Sequence, residues 1–128
     1  MIVTVLTLAG IYLASEHGKS AGYTHGNGRH AVMFLCEAAL GQAFEINADG
    51  VIGWRDNDPL TAKKGMSSVL AVGLTEPDPK ADIKIKLDKR DVVVPLGKPI
   101  ANPKLKDHGG HSSFSQSEYL LYKESQVG

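Results

Sequence analysis

Residues 1–23, MIVTVLTLAGIYLASEHGKSAGY, join a long apolar run directly to a short polar segment. The first fifteen residues carry no charged side chain, and residues 2–5 are all β-branched, which favours a buried β-strand. We expect neither a secretion signal, which needs a basic start, nor a spanning helix, which needs about 20 apolar residues. Ser15 to Tyr23 is predicted to form a short helix, because Ser15 can cap it and Lys19 lies four residues before Tyr23.

The middle of the chain predicts further strands. We expect a long central strand with a bulge or bend at 31–40, since AVMFLCEAAL is apolar almost throughout, although periodicity alone does not separate strand from helix there. Residues 44–46 resume an extended pattern, and 47–66 have the Asp, Asn, Gly and Pro content of a surface loop. A strand from Ser68 to Leu74 is predicted to end at the two prolines of 75–79.

The last third of the sequence contains the clearest alternation. DIKIKLD at 82–88 alternates apolar and charged residues, which predicts a strand with one solvated face, and 92–94 form the return strand of a hairpin. Residues 97–116 are expected to form a long loop, and Ser117 to Lys123 the last strand. The predicted fold class is α+β, with mostly antiparallel β-sheet and one short helix.

Composition restricts the function classes. The 128 residues carry fourteen Lys and Arg against fourteen Asp and Glu, so the chain lacks the basic excess with which proteins bind nucleic acid or anionic membranes. We therefore expect no direct nucleic-acid binding and no membrane association. Cys36 is the single cysteine, so no internal disulfide can form, which fits a reducing compartment.

Two motifs have weak support. Residues 26–31, GNGRHA, have the spacing of a dinucleotide-binding fingerprint, but that motif needs a strand before it and a helix after it, the reverse of the predicted order. The histidines have no metal-ligand spacing, so we expect solvated loop histidines and no metal site. The histidines considered are His25, His30, His108 and His111.

The sequence allows two interpretations of Glu118 and two of the tyrosines at 12 and 23. In a strand Glu118 shares a face with Leu120 and Tyr122, so its carboxylate either lies at a solvated strand end or is held in a pocket where its charge is used. Tyr12 and Tyr23 are either core residues or flat walls around a planar ring.

Four blocks resemble one known family when taken in order. They are GIYLASEHGKSAGY at 10–23, MFLCEAALG at 33–41, GLTEPDP at 73–79 and FSQSEYLLYKESQ at 114–126. Together they are similar to the catalytic domain of the poly(ADP-ribose) polymerases and extend over nearly the whole chain after residue 9. Gly22, VVVPLG at 92–97 and FSQSEYLLY are most similar to the third of the DNA-dependent members, a mono-ADP-ribosyltransferase.

The resemblance implies a function and a site. It implies an enzyme that uses NAD+ as a substrate, needs no metal, and transfers ADP-ribose to protein acceptors. Glu118 matches the catalytic glutamate, which stabilises positive charge on the sugar as the nicotinamide bond breaks. Tyr12 and Tyr23 match the tyrosines that stack on nicotinamide, Ser20 matches the serine that bonds its amide, and Lys19 matches the neighbouring lysine.

The resemblance also has limits. Residues 1–9 do not match the family, which gives an apolar terminus at 1–9 and the C-terminal part of a catalytic domain, truncated at both ends, at 10–128. The family's NAD-binding histidine and the glycine after it would precede Tyr12, so we expect an incomplete NAD pocket. The alternative is a catalytically inactive fragment that acts as an interaction module. Nuclear localisation, a role in DNA repair, and DNA-damage response partners acting through a full-length parent are further expectations from the family.

Overall fold

The structure is a computed structural model and describes residues 2–7, 10–24, 28, 30–48 and 65–128. Its main feature is a six-stranded sheet, beside two smaller two-stranded sheets. The strands of the large sheet lie in the order Phe34–Leu35, Ile2–Thr7, Gly10–Ala14, Glu118–Leu121, Ser68–Ala71 and Ala43–Ile46. The α+β fold class is confirmed, since the sheets are mostly antiparallel and α1, His17–Ala21, is short. In this part of the chain no helix is long and apolar enough to cross a membrane. The strands are β1 Ile2–Thr7, β2 Gly10–Ala14, β3 Phe34–Leu35, β4 Ala43–Ile46, β5 Ser68–Ala71, β6 Thr75–Pro77, β7 Ile83–Leu87, β8 Arg90–Val94, β9 Pro99–Ala101 and β10 Glu118–Leu121.

The apolar start of the chain forms two strands, so the prediction of one buried strand was wrong. β1 and β2 pair antiparallel with a register irregularity between Val3 and Val5. Gly10 opens β2 at a φ of 154°, and a Cβ there would lie 2.7 Å from the carbonyl oxygen of Leu121. The conformation and the close approach both require glycine. Hydropathy does not show where β1 ends and β2 begins, because both strands are apolar.

The predicted long central strand at 31–40 was also wrong. Only Phe34–Leu35 form a strand, β3, which pairs with β1 at the edge of the sheet, and both residues are exposed. The chain then pairs with its own C-terminal residues, since Ala39 N–H donates to the carbonyl of Gln126 over 2.8 Å, and Glu37 and Gly128 exchange two backbone hydrogen bonds. The apolar composition of this segment does not determine which partner its backbone finds.

The strand predicted at 44–46 is confirmed, and the strand predicted from Ser68 to Leu74 is confirmed in its first four residues but ends at Ala71. β4 pairs parallel with β5, and β5 pairs antiparallel with β10. All four residues of β5 are buried, in agreement with its continuous apolar pattern. Of the surface loop predicted at 47–66, residues 49–64 lie outside the described residues.

Two predictions about the proline-rich segments were wrong. The prolines of 75–79 do not end strand pairing, because Thr75–Pro77 (β6) pairs with Pro99–Ala101 (β9) in a small sheet. Proline is tolerated there because a two-stranded sheet consists only of edge strands. The predicted loop at 97–116 therefore contains β9, and it also contains a 3-10 helix at Pro103–His108.

The hairpin predicted from the alternation is confirmed. β7 and β8 pair in register from Ile83 opposite Val94 to Leu87 opposite Arg90, and Asp88 and Lys89 form the two-residue turn with positive φ angles. All five residues of β7 are exposed, so both faces of this strand meet solvent rather than one.

The core lies on one face of the main sheet. Ile11, Leu13 and Leu121 form its fully buried centre. Four partly buried residues pack against it, namely Ala38, Leu40, Tyr119 and Val127. The strand alternation therefore directs Tyr12, Glu118 and Leu120 to the opposite face.

Candidate active site

Glu118 opens β10, the strand predicted from Ser117 to Lys123. It lies between two alanines, Ala14 on β2 and Ala71 on β5. The side chain of Lys19 on α1 reaches it from the adjacent helix, with 3.0 Å between Nζ and Oε1. The two side chains are only 21% and 18% exposed. Glu118 is therefore a half-buried, ion-paired carboxylate and not the solvated strand-end glutamate that was the simpler interpretation.

Tyr12 lies on the same face of the sheet as Glu118. It is directly opposite Leu120, and residues opposite one another on neighbouring strands direct their side chains to the same side. Tyr12 is half-buried and remains outside the core, which Ile11 and Leu13 occupy on the other face. The pairing of β2 with β10 thus brings Tyr12 and the Lys19–Glu118 pair to one surface.

Helix α1 carries Ser20 as well as Lys19. Ser20 is buried, and its carbonyl accepts a hydrogen bond of 3.0 Å from the N–H of Tyr23. Tyr23 lies beyond the end of the helix and is 46% exposed. The helix is shorter than the predicted Ser15 to Tyr23, and Lys19 and Tyr23 do not share a helical face.

Ser15 is not the helix cap, so that prediction was wrong. Glu16 occupies the N-cap position, and its side chain makes no capping bond. The Ser15 hydroxyl instead donates to Glu76 Oε1 over 2.7 Å, a hydrogen bond strengthened by the charge of the carboxylate.

Ser117 fixes the position at which β10 begins. Its hydroxyl oxygen accepts hydrogen bonds from the Gly73 N–H over 3.0 Å and from Asn102 Nδ2 over 3.3 Å, and all three residues are buried. The chain passes so close at Gly73 that a Cβ there would lie 2.2 Å from the Ser117 backbone nitrogen. The residue before Glu118 is therefore held from two directions.

Sequence reasoning missed a polar network next to this pair. Glu16 Oε1 accepts from the Thr75 hydroxyl over 2.7 Å, and its Oε2 accepts from Gln116 Nε2 over 2.9 Å. Glu76 Oε1 accepts from Tyr119 over 2.8 Å as well as from Ser15. No hydropathy pattern marks these residues. The available signal was that GLTEPDP and FSQSEYLLY place polar side chains beside strands.

The phenol of Tyr119 remains a proton donor in this network. Burial raises the pKa of Tyr119 far above its ordinary value, and the adjacent Glu76 carboxylate raises it further because it disfavours a phenolate. Tyr119 therefore keeps its proton at neutral pH and donates it to the Glu76 carboxylate.

His108 corrects the expectation of solvated loop histidines. It is half-buried, with Nε2 3.0 Å from Glu45 Oε2, and Lys104 bonds the other carboxylate oxygen. Partial burial raises the pKa of Glu45, but the hydrogen bonds from Lys104 and His108 outweigh it and place the pKa below its ordinary value. His111 and His30 are exposed.

The metal-site and dinucleotide-fingerprint motifs gain no support from the described residues. Across the described ranges, no three His, Cys, Asp or Glu side chains come together in a group that could hold a metal ion. His25 and three of the six residues of the fingerprint-like segment 26–31 lie outside the described residues.

Comparison with known proteins identifies the family to which this chain belongs. Residues 8–128 match the poly(ADP-ribose) polymerase catalytic domain. The chain belongs to the poly(ADP-ribose) polymerase catalytic-domain family. The resemblance of the four sequence blocks is thereby confirmed, and the match begins two residues before the boundary expected at residue 10.

Curated members of the poly(ADP-ribose) polymerase family show how far the likeness extends. The protein mono-ADP-ribosyltransferase PARP3 of Mus musculus is 50% identical over 121 residues, which cover 91% of this chain and 21% of that protein. Its Homo sapiens counterpart is 48% identical over 122 residues, with the same coverage of 91% and 21%. Poly [ADP-ribose] polymerase 2-A of Oryza sativa subsp. japonica is 38% identical over 121 residues, covering 92% of this chain and 16% of that protein. The chain thus spans about a fifth of the length of the PARP3 proteins.

Proposed function

We propose that the chain contributes to an NAD+-dependent protein ADP-ribosyltransferase, with Glu118 as the catalytic carboxylate. The observation that supports this most strongly is the Lys19–Glu118 pair, which is half-buried on the same face as Tyr12 in a chain of this family. A carboxylate that is paired with an ammonium and partly shielded from water can stabilise a developing positive charge.

The other residues bind the nicotinamide end of NAD+ in this proposal. Tyr12 provides a flat apolar surface beside Glu118, and Tyr23, beyond α1, provides the second stacking surface. Ser20 bonds the nicotinamide amide. Lys19 orients Glu118 through the 3.0 Å ion pair.

The chemistry follows from the placement of the carboxylate. The bond between C1′ of the ribose and the nicotinamide nitrogen breaks, and neutral nicotinamide leaves with the electron pair. The sugar becomes oxocarbenium-like, and a fixed carboxylate favours that state over the ground state. An acceptor side chain then forms the new bond at C1′ and loses a proton, so that ADP-ribose ends on a protein.

The finer features of the function are part of the same proposal. The PARP3 relatives are named as mono-ADP-ribosyltransferases, which supports the transfer of one ADP-ribose unit at a time. We extend to this chain nuclear localisation and, through a longer parent protein, DNA-damage response partners.

The test is transfer of labelled ADP-ribose from NAD+ to protein by the chain and by Glu118→Gln. The substitution keeps the shape and removes the charge, so transfer should fall about 100-fold or more while NAD+ binding stays measurable. Glu124→Gln is the matched control, since Glu124 is exposed near the C-terminus and should not affect transfer. Equal transfer by Glu118→Gln contradicts its role, and a folded chain that neither binds nor transfers fits the inactive fragment instead.

A further inference from the structure

Glu16 is a buried carboxylate in the segment that joins β2 to α1. Only 7% of the residue is exposed, and both of its oxygens accept a hydrogen bond from a different part of the chain. Burying a charge is unfavourable unless it is well bonded, so this arrangement stabilises one particular packing of the three segments.

The three segments are those that build the candidate active site. Glu16 precedes Lys19 by three residues, and its own carbonyl accepts a hydrogen bond of 3.2 Å from the Lys19 N–H. Gln116 precedes Glu118 by two residues, and Thr75 opens β6. The bond between Glu16 and Gln116 and the pair between Lys19 and Glu118 therefore connect the same two stretches of chain.

The two connections differ in how firmly they can hold these stretches together. A partly exposed ion pair contributes at most about 1 kcal/mol, because holding a long lysine side chain in one conformation opposes the attraction. The Glu16 bonds are more buried, and the charge on Glu16 strengthens both of them. They can fix the separation at which Lys19 reaches Glu118.

We propose that Glu16 is a positioning residue, which holds the start of α1 against the approach to β10 and so keeps Lys19 Nζ in contact with the Glu118 carboxylate. The effect of Glu16 on ADP-ribose transfer rests on the proposed function. The effect of Glu16 on the Lys19–Glu118 contact does not, since that contact is measurable without NAD+.

The primary test is the rate at which the Lys19 ammonium protons exchange with water, measured by NMR on the whole chain with lysine side chains labelled with nitrogen-15. Lys19→Arg assigns the signal. Glu16→Ala should accelerate exchange about fivefold, the factor that corresponds to losing a hydrogen bond of about 1 kcal/mol. Glu16→Gln should restore near-normal exchange, because its amide can accept from Thr75 while the Gln116 amide turns to accept from it.

A matched control separates positioning from general loosening. Glu45→Gln alters another carboxylate that accepts two side-chain bonds, but its partners are Lys104 and His108 rather than residues next to Lys19 or Glu118, so Lys19 exchange should not change. If Glu16→Ala does not fold, Gln116→Ala removes only the bond to the β10 side and should accelerate exchange in the same direction. Unchanged Lys19 exchange in a folded Glu16→Ala or Gln116→Ala chain overturns the proposal, as does exchange equally fast in Glu16→Gln and Glu16→Ala.

Transfer kinetics provide a separate test. Glu16→Ala should lower kcat about fivefold with little change in KM for NAD+, because the loss of one hydrogen bond displaces Glu118, which acts in the transition state and not in the binding of NAD+. Glu16→Gln should restore kcat. A rise in KM with unchanged kcat overturns the positioning role. A wild-type chain without transfer refutes the proposed function, and Lys19 exchange then decides the role of Glu16 alone.

Discussion

The β7-β8 hairpin and the region around the start of β10 are built in opposite ways. In the hairpin the backbone ladder is regular, and every residue of β7 is exposed. We call residues 15–16, 73–76 and 116–119, around the start of β10, the crossing. Buried and partly buried polar side chains bond there between distant segments. Local alternation organises the hairpin, whereas long-range hydrogen bonds organise the crossing.

Substitutions in the hairpin and in the crossing should differ in their effect on stability. Exposed positions on a hairpin tolerate substitution, since little surface is removed from water and polar groups remain solvated. In the crossing, an added atom meets backbone and a removed acceptor leaves a buried donor without its partner, so single changes have large effects there.

The largest expected effect is at Gly73. Gly73→Ala should destabilise the chain by about 3 kcal/mol or more, because the new Cβ would lie 2.2 Å from the backbone of Gln116 and Ser117, and this backbone is held by other bonds. Urea denaturation followed by circular dichroism measures it. Gly22→Ala is the control, as the nearest atom to its Cβ lies 3.5 Å away; equal stability of the two variants would contradict the crowding at Gly73.

The next effect compares two leucines. Leu121→Ala should cost about 3 kcal/mol, because Leu121 is 0% exposed in the core beneath the crossing. Leu87→Ala in the hairpin should cost less than about 1 kcal/mol, because Leu87 is 41% exposed. The same denaturation experiment tests both. Similar losses would show that the hairpin contributes as much as the core, contrary to the comparison.

A smaller effect is expected at Ser117. Ser117→Ala removes the acceptor of the Gly73 N–H and of Asn102, which should cost about 1–2 kcal/mol through the buried donors left behind. Hydrogen exchange of the Gly73 amide should accelerate in parallel. Ser125→Ala, at an exposed position, should change neither quantity. If the Gly73 amide is as well protected from exchange in Ser117→Ala as in the wild type, Ser117 does not stabilise the crossing.

The smallest effect concerns Glu45, which lies outside the crossing. Because its folded-state pKa is below the ordinary 4.5, its contribution to stability is fully present above that value and is lost as pH falls through the lower folded value. Glu45→Gln should therefore destabilise by about 0.5 kcal/mol at pH 7 and by almost nothing in strong acid. Urea midpoints measured between pH 2 and pH 7, the range of about two pKa units on either side of the ordinary value, test this. A constant difference across that range would contradict the ion-pair origin.

The sequence predicted the elements whose pattern is local. The alternation of 82–88 gave the hairpin, the continuous apolar run at Ser68 gave the buried strand β5, and Glu118 was placed on the last strand. Elements that depend on distant partners were not predictable from pattern. The apolar segment 31–40 could not reveal that it pairs with the C-terminal residues.

The candidate site divides in the same way. Family motifs pointed to Tyr12, Lys19, Ser20, Tyr23 and Glu118, and the structure brings Lys19 against Glu118 on the face that Tyr12 shares. Glu16 and Gln116 stayed hidden, because a polar residue beside a strand normally faces water, and only the tertiary fold places the partly buried Gln116 amide against the buried Glu16 carboxylate.

In the proposed function, Tyr12, Ser20 and the Lys19–Glu118 pair form a nicotinamide-binding surface. Calorimetric titration of the whole chain with NAD+, with and without 3-aminobenzamide as a competitor, tests it most directly. We expect NAD+ binding that 3-aminobenzamide displaces, that Tyr12→Ala or Ser20→Ala weakens, and that Glu118→Gln retains. A folded chain that shows no competable binding, or that binds equally well without Tyr12 and Ser20, would contradict it.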